Sequence, residues 1–202
     1  LKKGETLRLS SWVRSYDYRG KIRAGVYTKD GAVFEEKCRL RADGQWHRYA
    51  FHVRAGQSCE GAQFRFILEK AGTVHIDNFS LIPDNAVYGI FRRDLAELLK
   101  ALRPGFVRFP GGCVVEGNTL ANRYQWKLSV GQPERRRQNW NRWAIHGAGE
   151  EGDFRSPFSH YGQTLGVGYY EYFLLCEYLG AKPLPVVGLG IACQYMSKEA
   201  VA

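Results

Sequence analysis

The sequence predicts two regions of different class: an antiparallel β-sandwich of jelly-roll type in residues 1–85 and an α/β layered or barrel region in residues 86–202. Three observations support this. Residues 1–83 break into short runs of alternating apolar and polar residues with no helical pattern between them. After Pro83 the apolar spacing changes to that of a helix. A strand-like run, "FVRFP" (106–110), then turns at once into Gly-Gly and a long polar stretch, as chains do at the strand ends of α/β domains.

The alternating runs cover 6–15, 21–29, 32–41, 46–55, 61–69 and 73–82. Lys29-Asp30-Gly31, Ala42-Asp43-Gly44 and Ala71-Gly72 supply turns between them. Strands at that spacing imply hairpins, and hairpins imply antiparallel pairing. In "FRRDLAELLKAL" (91–102) Leu95, Leu98, Leu99 and Leu102 share one helical stripe, which Arg103-Pro104-Gly105 stops. The strand 106–110 follows. A polar, Gly-rich stretch of about fifty residues runs from 111 to about 163 and is long enough to carry structure or function of its own. "GYYEYFLLCEYLGA" (168–181) reads as a helix with Gly180 near its end, and "KPLPVVGLG" as a second buried strand. Helix, strand, loop, helix, strand is a β/α rhythm. Its two strands, 106–110 and 183–189, should be parallel, with the helix at 168–180 as their crossover. The domain boundary falls near 83–90.

With 45% hydrophobic and 14% aromatic residues in 202, the chain can bury a sizeable core and is not disordered. No run approaches the roughly 18 apolar residues of a membrane span, so a soluble chain with no membrane partner is expected. The compartment stays open, and a secreted or periplasmic parent is compatible with this. Five cysteines (Cys38, Cys59, Cys113, Cys176, Cys193) form no C-x-x-C pair, which argues against a disulfide framework and a zinc site. The net charge of +9 makes an anionic partner worth considering. Its Arg and Lys residues nevertheless alternate along "LRLSSWVRS", "KCRLRA" and "RYAFHVRA", as the outward face of a half-buried sheet requires. The one dense run, Arg135-Arg136-Arg137, lies in the loop and reads as solvated. No nucleic-acid partner is expected.

Arg108 lies between Val107 and Phe109, so its side chain points opposite to theirs. A cation there needs a carboxylate, either as a structural ion pair or to orient a catalytic group. Glu116, Asn118 and Asn122 offer hydrogen-bonding groups past the turn, and Trp126, Trp140 and Trp143 offer flat apolar faces. That combination suits sugar rings, although each tryptophan taken singly also fits loop packing. Trp12, Tyr16, Tyr18 and Tyr27 are candidate sugar platforms on the sandwich. Glycoside hydrolysis usually needs two carboxylates at a defined spacing, and no such pair is evident. Asp94, Glu97, Glu171 and Glu177 lie on helical patterns, while Glu150, Glu151 and Asp153 form a loop charge run. There is no G-x-S-x-G, Walker loop or H-E-x-x-H, the five histidines lack metal spacing, and "GLGIAC" lacks the last glycine of a dinucleotide fingerprint. No cofactor and no metal are expected.

Together, "LRPGFVRFPGGCVVEGNTLANRYQWKLSVGQPERR", "NWNRW" and "LGVGYYEYFLLCEYLGAKPLPVV" resemble the α-L-arabinofuranosidases of glycoside hydrolase family 51. "WHRYAFHVRAG", "VHIDNFSLIPDN" and "GIFRRDLAELLKALRP" are similar to the carbohydrate-binding-like sandwich inserted in one branch of that family and to its junction with the barrel. The resemblance implies a retaining enzyme on a (β/α)8 barrel that cleaves terminal arabinofuranose from arabinan or arabinoxylan. It also implies that both catalytic glutamates lie on later barrel strands, so that this chain alone is expected to be inactive. Residue by residue, Arg108 matches the arginine supporting the nucleophile, Gly112 and Cys113 the turn lining the arabinose pocket, and Trp143 a loop tryptophan flanking substrate. The sequence departs from the family pattern in "GQPERRRQ", which lacks the usual later proline, and in the longer segment 144–163. A non-catalytic carbohydrate-binding module remains the alternative, and the oligomeric state is open.

Overall fold

The computed structural model describes residues 1–117, 119–141 and 162–195. They form two compact units, Leu1–Arg93 and Asp94 onward.

In the first unit six strands make two three-stranded antiparallel sheets: β1 (Thr6–Arg14), β2 (Lys21–Thr28), β3 (Gly31–Arg39), β4 (His47–Arg54), β5 (Gln63–Leu68) and β6 (His75–Pro83). One sheet has the order β4-β1-β6 and the other β3-β2-β5, so β1 and β2 are the two central strands. Alternation explains the core. Leu7 and Leu9 of β1 are buried with Ala24 and Val26 of β2, Val33 and Phe34 of β3 and Val53 of β4, and Val13 of β1 is buried with Tyr18, Ile22 of β2 and Leu40. The two sheets therefore bury their inner faces against each other, which makes the unit a β-sandwich. A register shift in β1 between Ser10 and Trp12 marks a bulge, where the buried Ser11 hydroxyl donates to the Asp77 carbonyl at 3.0 Å.

Two of the four aromatic candidates on the sandwich are not surface platforms. Tyr18 and Tyr27 are buried. The Tyr18 hydroxyl donates to the Lys21 carbonyl at 2.7 Å and accepts from the Glu69 N–H at 2.9 Å, tying β2 to the end of β5. Tyr27 donates to Glu35, and burial first, then this carboxylate, push its phenol up to about 12. Alternation could not reveal this, because a tyrosine satisfies an inward position as soon as its hydroxyl finds an acceptor.

The second unit contains α1 (Arg93–Ala101), β7 (Phe106–Phe109), α2 (Cys113–Glu116), the short pair β8 (Asn139–Trp140) and β9 (Gly162–Gln163), α3 (Tyr169–Leu179) and β10 (Lys182–Pro185). β7 and β10 are parallel, with Leu184 opposite Arg108, and α3 connects them. β10 is shorter than the expected 183–189, ending where the β7 ladder ends. The polar stretch after β7 carries α2 and single 3₁₀ turns at Leu120–Asn122, Trp126–Ser129 and Pro133–Arg135. The leucine stripe on α1 forms as expected, but Leu95, Leu98, Leu99 and Leu102 are all exposed, and only Ala96 of that helix is buried. No described helix is long and apolar enough to cross a membrane.

Candidate functional site

The parallel strands end side by side, and the turn after each contributes to one region. From β7 the chain passes through a cis Phe109-Pro110 peptide and Gly111, whose φ of +135° favours glycine, into α2. After β10 the Val186 N–H donates to the Phe109 carbonyl at 2.8 Å, and the Cys193 N–H donates to the Gly117 carbonyl at 2.8 Å. A side chain at Gly188 would sit 3.2 Å from the Val115 carbonyl. The glycines of "GLGIAC" thus serve a strand-end turn laid against α2.

Arg108 is exposed on the face opposite Val107 and Phe109. Its guanidinium runs along the turn, with one terminal nitrogen 3.4 Å from the place a Cβ on Gly112 would take. Among the described residues, Arg108 has no carboxylate at ion-pair distance. Cys113 is half-buried with a free thiol, and Glu116 is half-buried at the end of α2. The segments following the two strands, 110–117 and 186–195, contain one carboxylate between them, Glu116. Asn122 is buried, and its Oδ1 accepts from the Thr119 N–H at 2.9 Å, so it caps a turn rather than facing the open side. Trp126 remains 42% exposed, with the Tyr169 ring 6.0 Å from its own. Asn118, Trp143 and the side chain of Trp140 lie outside the described residues. No cluster of His, Cys, Asp and Glu among the described residues could hold a metal.

Beneath this turn lies an aromatic floor. Phe109 stacks on Tyr172 at 5.0 Å and meets Tyr124 and Tyr169 edge-on at 5.9 and 5.7 Å. The Tyr172 hydroxyl donates to the Val107 carbonyl at 2.6 Å, and burial pushes that phenol up to about 12. Tyr169 donates to the Val186 carbonyl. From α3 one hydroxyl reaches β7 and the other the residue just past β10, so the crossover helix is bolted to the sheet next to the strand ends.

A buried ion pair in this unit was not legible beforehand. Arg136, from the run that reads as solvated, is buried with Glu171 of α3; their side chains are 2% and 4% exposed. The guanidinium donates to Glu171 through two nitrogens at 2.9 and 2.8 Å, to the Leu165 carbonyl at 2.8 Å and to the Gly131 carbonyl at 3.1 and 2.6 Å. Glu171 also accepts from the Gly168 N–H at 2.8 Å. Burial pushes the Glu171 carboxyl up, but the Arg136 and Gly168 hydrogen bonds outweigh it and hold the group below its ordinary range. Arg136 is buried, unlike its neighbours Arg135 and Arg137, because only it faces the N-terminus of α3. The sequence signal that could have found Glu171 is its position three residues after Gly168, where a carboxylate can close the first helical turn.

The second unit is thus of α/β class, a parallel β/α pair with Arg108, Cys113 and Glu116 on or beside the turn after its first strand, where folds of that class commonly build their sites. Residues 98–202 match the family model described as the α-L-arabinofuranosidase 1 domain. The chain belongs to that family, the α-L-arabinofuranosidases of the glycoside hydrolase family 51 type. It is 34% identical over 196 residues to an extracellular exo-α-L-arabinofuranosidase of Streptomyces chartreusis, covering 86% of this chain and 22% of that one. It is 34% identical over 148 residues to α-L-arabinofuranosidase 2 of Arabidopsis thaliana, covering 73% and 20%. The solved structure of an arabinose-bound α-L-arabinofuranosidase of the same family superposes with a TM-score of 0.77 at 25% identity, covering 100% of this chain and 32% of that one. The chain thus spans about a fifth of the length of these curated relatives.

Proposed function

We propose that residues 1–85 form a carbohydrate-binding-like sandwich and residues 86–202 the opening β/α units of a (β/α)8 barrel, both within a retaining glycoside hydrolase. That enzyme releases terminal α-L-arabinofuranose from arabinan- or arabinoxylan-type polysaccharides. The observation that carries the reading is Arg108: a cation at the end of a parallel strand, laid along a turn stripped of side chains at Gly111 and Gly112. Arg108 positions the nucleophilic carboxylate, Gly112 and Cys113 line the arabinose pocket, and Trp143 flanks the sugar. The uncovered leucine stripe of α1 supports the barrel, since neighbouring units would bury it.

Retention requires two carboxylates about 5 Å apart. One attacks the anomeric carbon while the other protonates the departing oxygen, and water then releases the sugar from the resulting ester. Glu116 alone cannot do both, so at least one of the pair comes from outside segments 110–117 and 186–195, and the family resemblance puts both on later barrel strands. In the parent, Arg108→Ala should lower kcat by about 100-fold, with KM and the thermal midpoint little changed, because a mis-set nucleophile affects the transition state more than binding. The 202-residue chain alone should show no turnover on an aryl α-L-arabinofuranoside. Turnover by the chain that Arg108→Ala abolishes would overturn the assignment of the pair, and inversion of the released sugar would overturn the mechanism.

A further inference from the structure

The outer face of the β4-β1-β6 sheet holds a groove that the site at β7 and β10 does not use. Because Leu7, Leu9, Ser11 and Val13 are buried, alternation turns Arg8, Ser10, Trp12 and Arg14 outward. The strand register sets these in rows: His52, Arg8 and Ile82; then Ala50, Ser10 and Ser80; then Arg48, Trp12 and Asp77. The middle row consists of small residues only, so the surface sinks between two taller rows. The depression has a volume of about 480 Å³, with Arg8, Arg48 and His52 among its walls, and falls in the range of small-ligand sites.

Its charge is basic. Asp84 serves both Arg8, at 3.7 Å, and His52, at 3.4 Å, and Arg8 also donates to the Gly89 carbonyl at 3.1 Å. Arg48 has no carboxylate at ion-pair distance among the described residues, and Asp77 lies two strands away, about 10 Å. Further along the same strand the Arg14 guanidinium lies over the rings of Tyr16 and Trp46, at 5.5 and 4.9 Å, and both residues are exposed.

We propose that this face binds an acidic glycan. One sugar seats its carboxylate between Arg48 and Arg8, whose planar donor forks match a carboxylate, and a neighbouring sugar lays its C–H face on the Trp12 indole. A neutral sugar would offer Arg48 no counter-charge. The choice of a glycan as carrier of the carboxylate rests on the glycosidase reading above, whereas the preference for a carboxylate rests on the groove alone.

The test is titration of the whole 202-residue chain with a galacturonate hexamer and with its fully methyl-esterified counterpart, followed by calorimetry and amide NMR. The acid should bind at least 10-fold tighter than the ester. Shifts should centre on β1, β4 and β6. Arg48→Gln should weaken acid binding at least 5-fold, and Ala50→Phe, which fills the floor, should abolish it, both with unchanged thermal midpoints. Equal binding of acid and ester overturns the proposal without recourse to any variant. So does acid binding that survives Ala50→Phe, or a single-stranded DNA that binds as tightly and responds to the same substitutions. Arabinose release by the parent is assayed on an uncharged aryl arabinofuranoside, so a failed glycosidase reading and a failed groove give different results.

Discussion

Replacing Arg136 by methionine removes the cation from one of the most enclosed polar contacts in the described chain and leaves the Glu171 carboxylate among apolar neighbours. Glu171 keeps the Gly168 N–H as a donor. The Gly131 and Leu165 carbonyls lose their guanidinium partner at the same time. Breaking a buried pair by removing one partner costs about 3–5 kcal/mol, mainly because a desolvated charge is stranded. Against a typical domain stability of about 5–15 kcal/mol, that is a large fraction. With a urea dependence of about 2 kcal/mol per molar, a loss of about 4 kcal/mol moves the unfolding midpoint down by about 2 M. The amide NMR signals of Tyr169–Leu179 report on this unit separately from the sandwich, whose own transition should not move. The double variant Arg136→Met/Glu171→Leu should recover most of the loss, since a well-packed apolar pair avoids desolvation altogether. A midpoint shift below about 0.5 M for Arg136→Met, or a double variant as unstable as the sum of the singles, would refute the reasoning.

Three further outcomes follow from other contacts. Glu171 has a folded pKa below its unfolded value near 4.3, so its contribution is fully present above that value and is lost as pH falls through the folded pKa; acid titration of α3 stability should steepen below about pH 4, and Glu171→Gln should flatten that slope. Gly168→Ala places a Cβ 1.9 Å from the Ser129 carbonyl oxygen, a backbone atom that cannot swing away; calorimetry should show a loss of about 3 kcal/mol, while Gly166→Ala nearby, with no contact closer than 3.5 Å, should be nearly neutral. Tyr18→Phe deletes a hydroxyl that both donates and accepts in the sandwich and should cost about 1–3 kcal/mol in denaturant unfolding.

How much could be read in advance depended on the range of the interaction involved. The sandwich was legible because alternation is local: Leu7, Leu9 and Val13 declare an inward face within one strand. The parallel pairing of β7 and β10 was legible because a helix-length connection leaves little alternative. The Leu95, Leu98, Leu99 and Leu102 stripe was legible as a stripe, yet a period cannot say whether anything covers it, and here it is exposed. Arg136 was misread because its partner lies 35 residues on, and charge composition carries no information at that distance. Around the strand-end turn, the sequence pointed to Arg108 and the glycine pair. It did not distinguish Asn122, committed to a turn, from groups left open at the site.

The clamp between Gly131–Arg136 and Leu165–Glu171 has a further consequence, because β8 and β9 close the chain a second time, with Asn139 paired to Gln163 and their side-chain amides 3.0 Å apart. Two successive closures fix where the chain leaves and returns, whatever runs between them. Loop-closure entropy rises only slowly with length, about 0.6 kcal/mol for a doubling. Segments of other lengths can therefore be spliced between Asn141 and Gly162 while the aromatic floor and the parallel strands stay in place. Length variation between Asn141 and Gly162 costs little in this architecture, and a library of exchanged segments there should leave the thermal midpoint of this unit nearly unchanged.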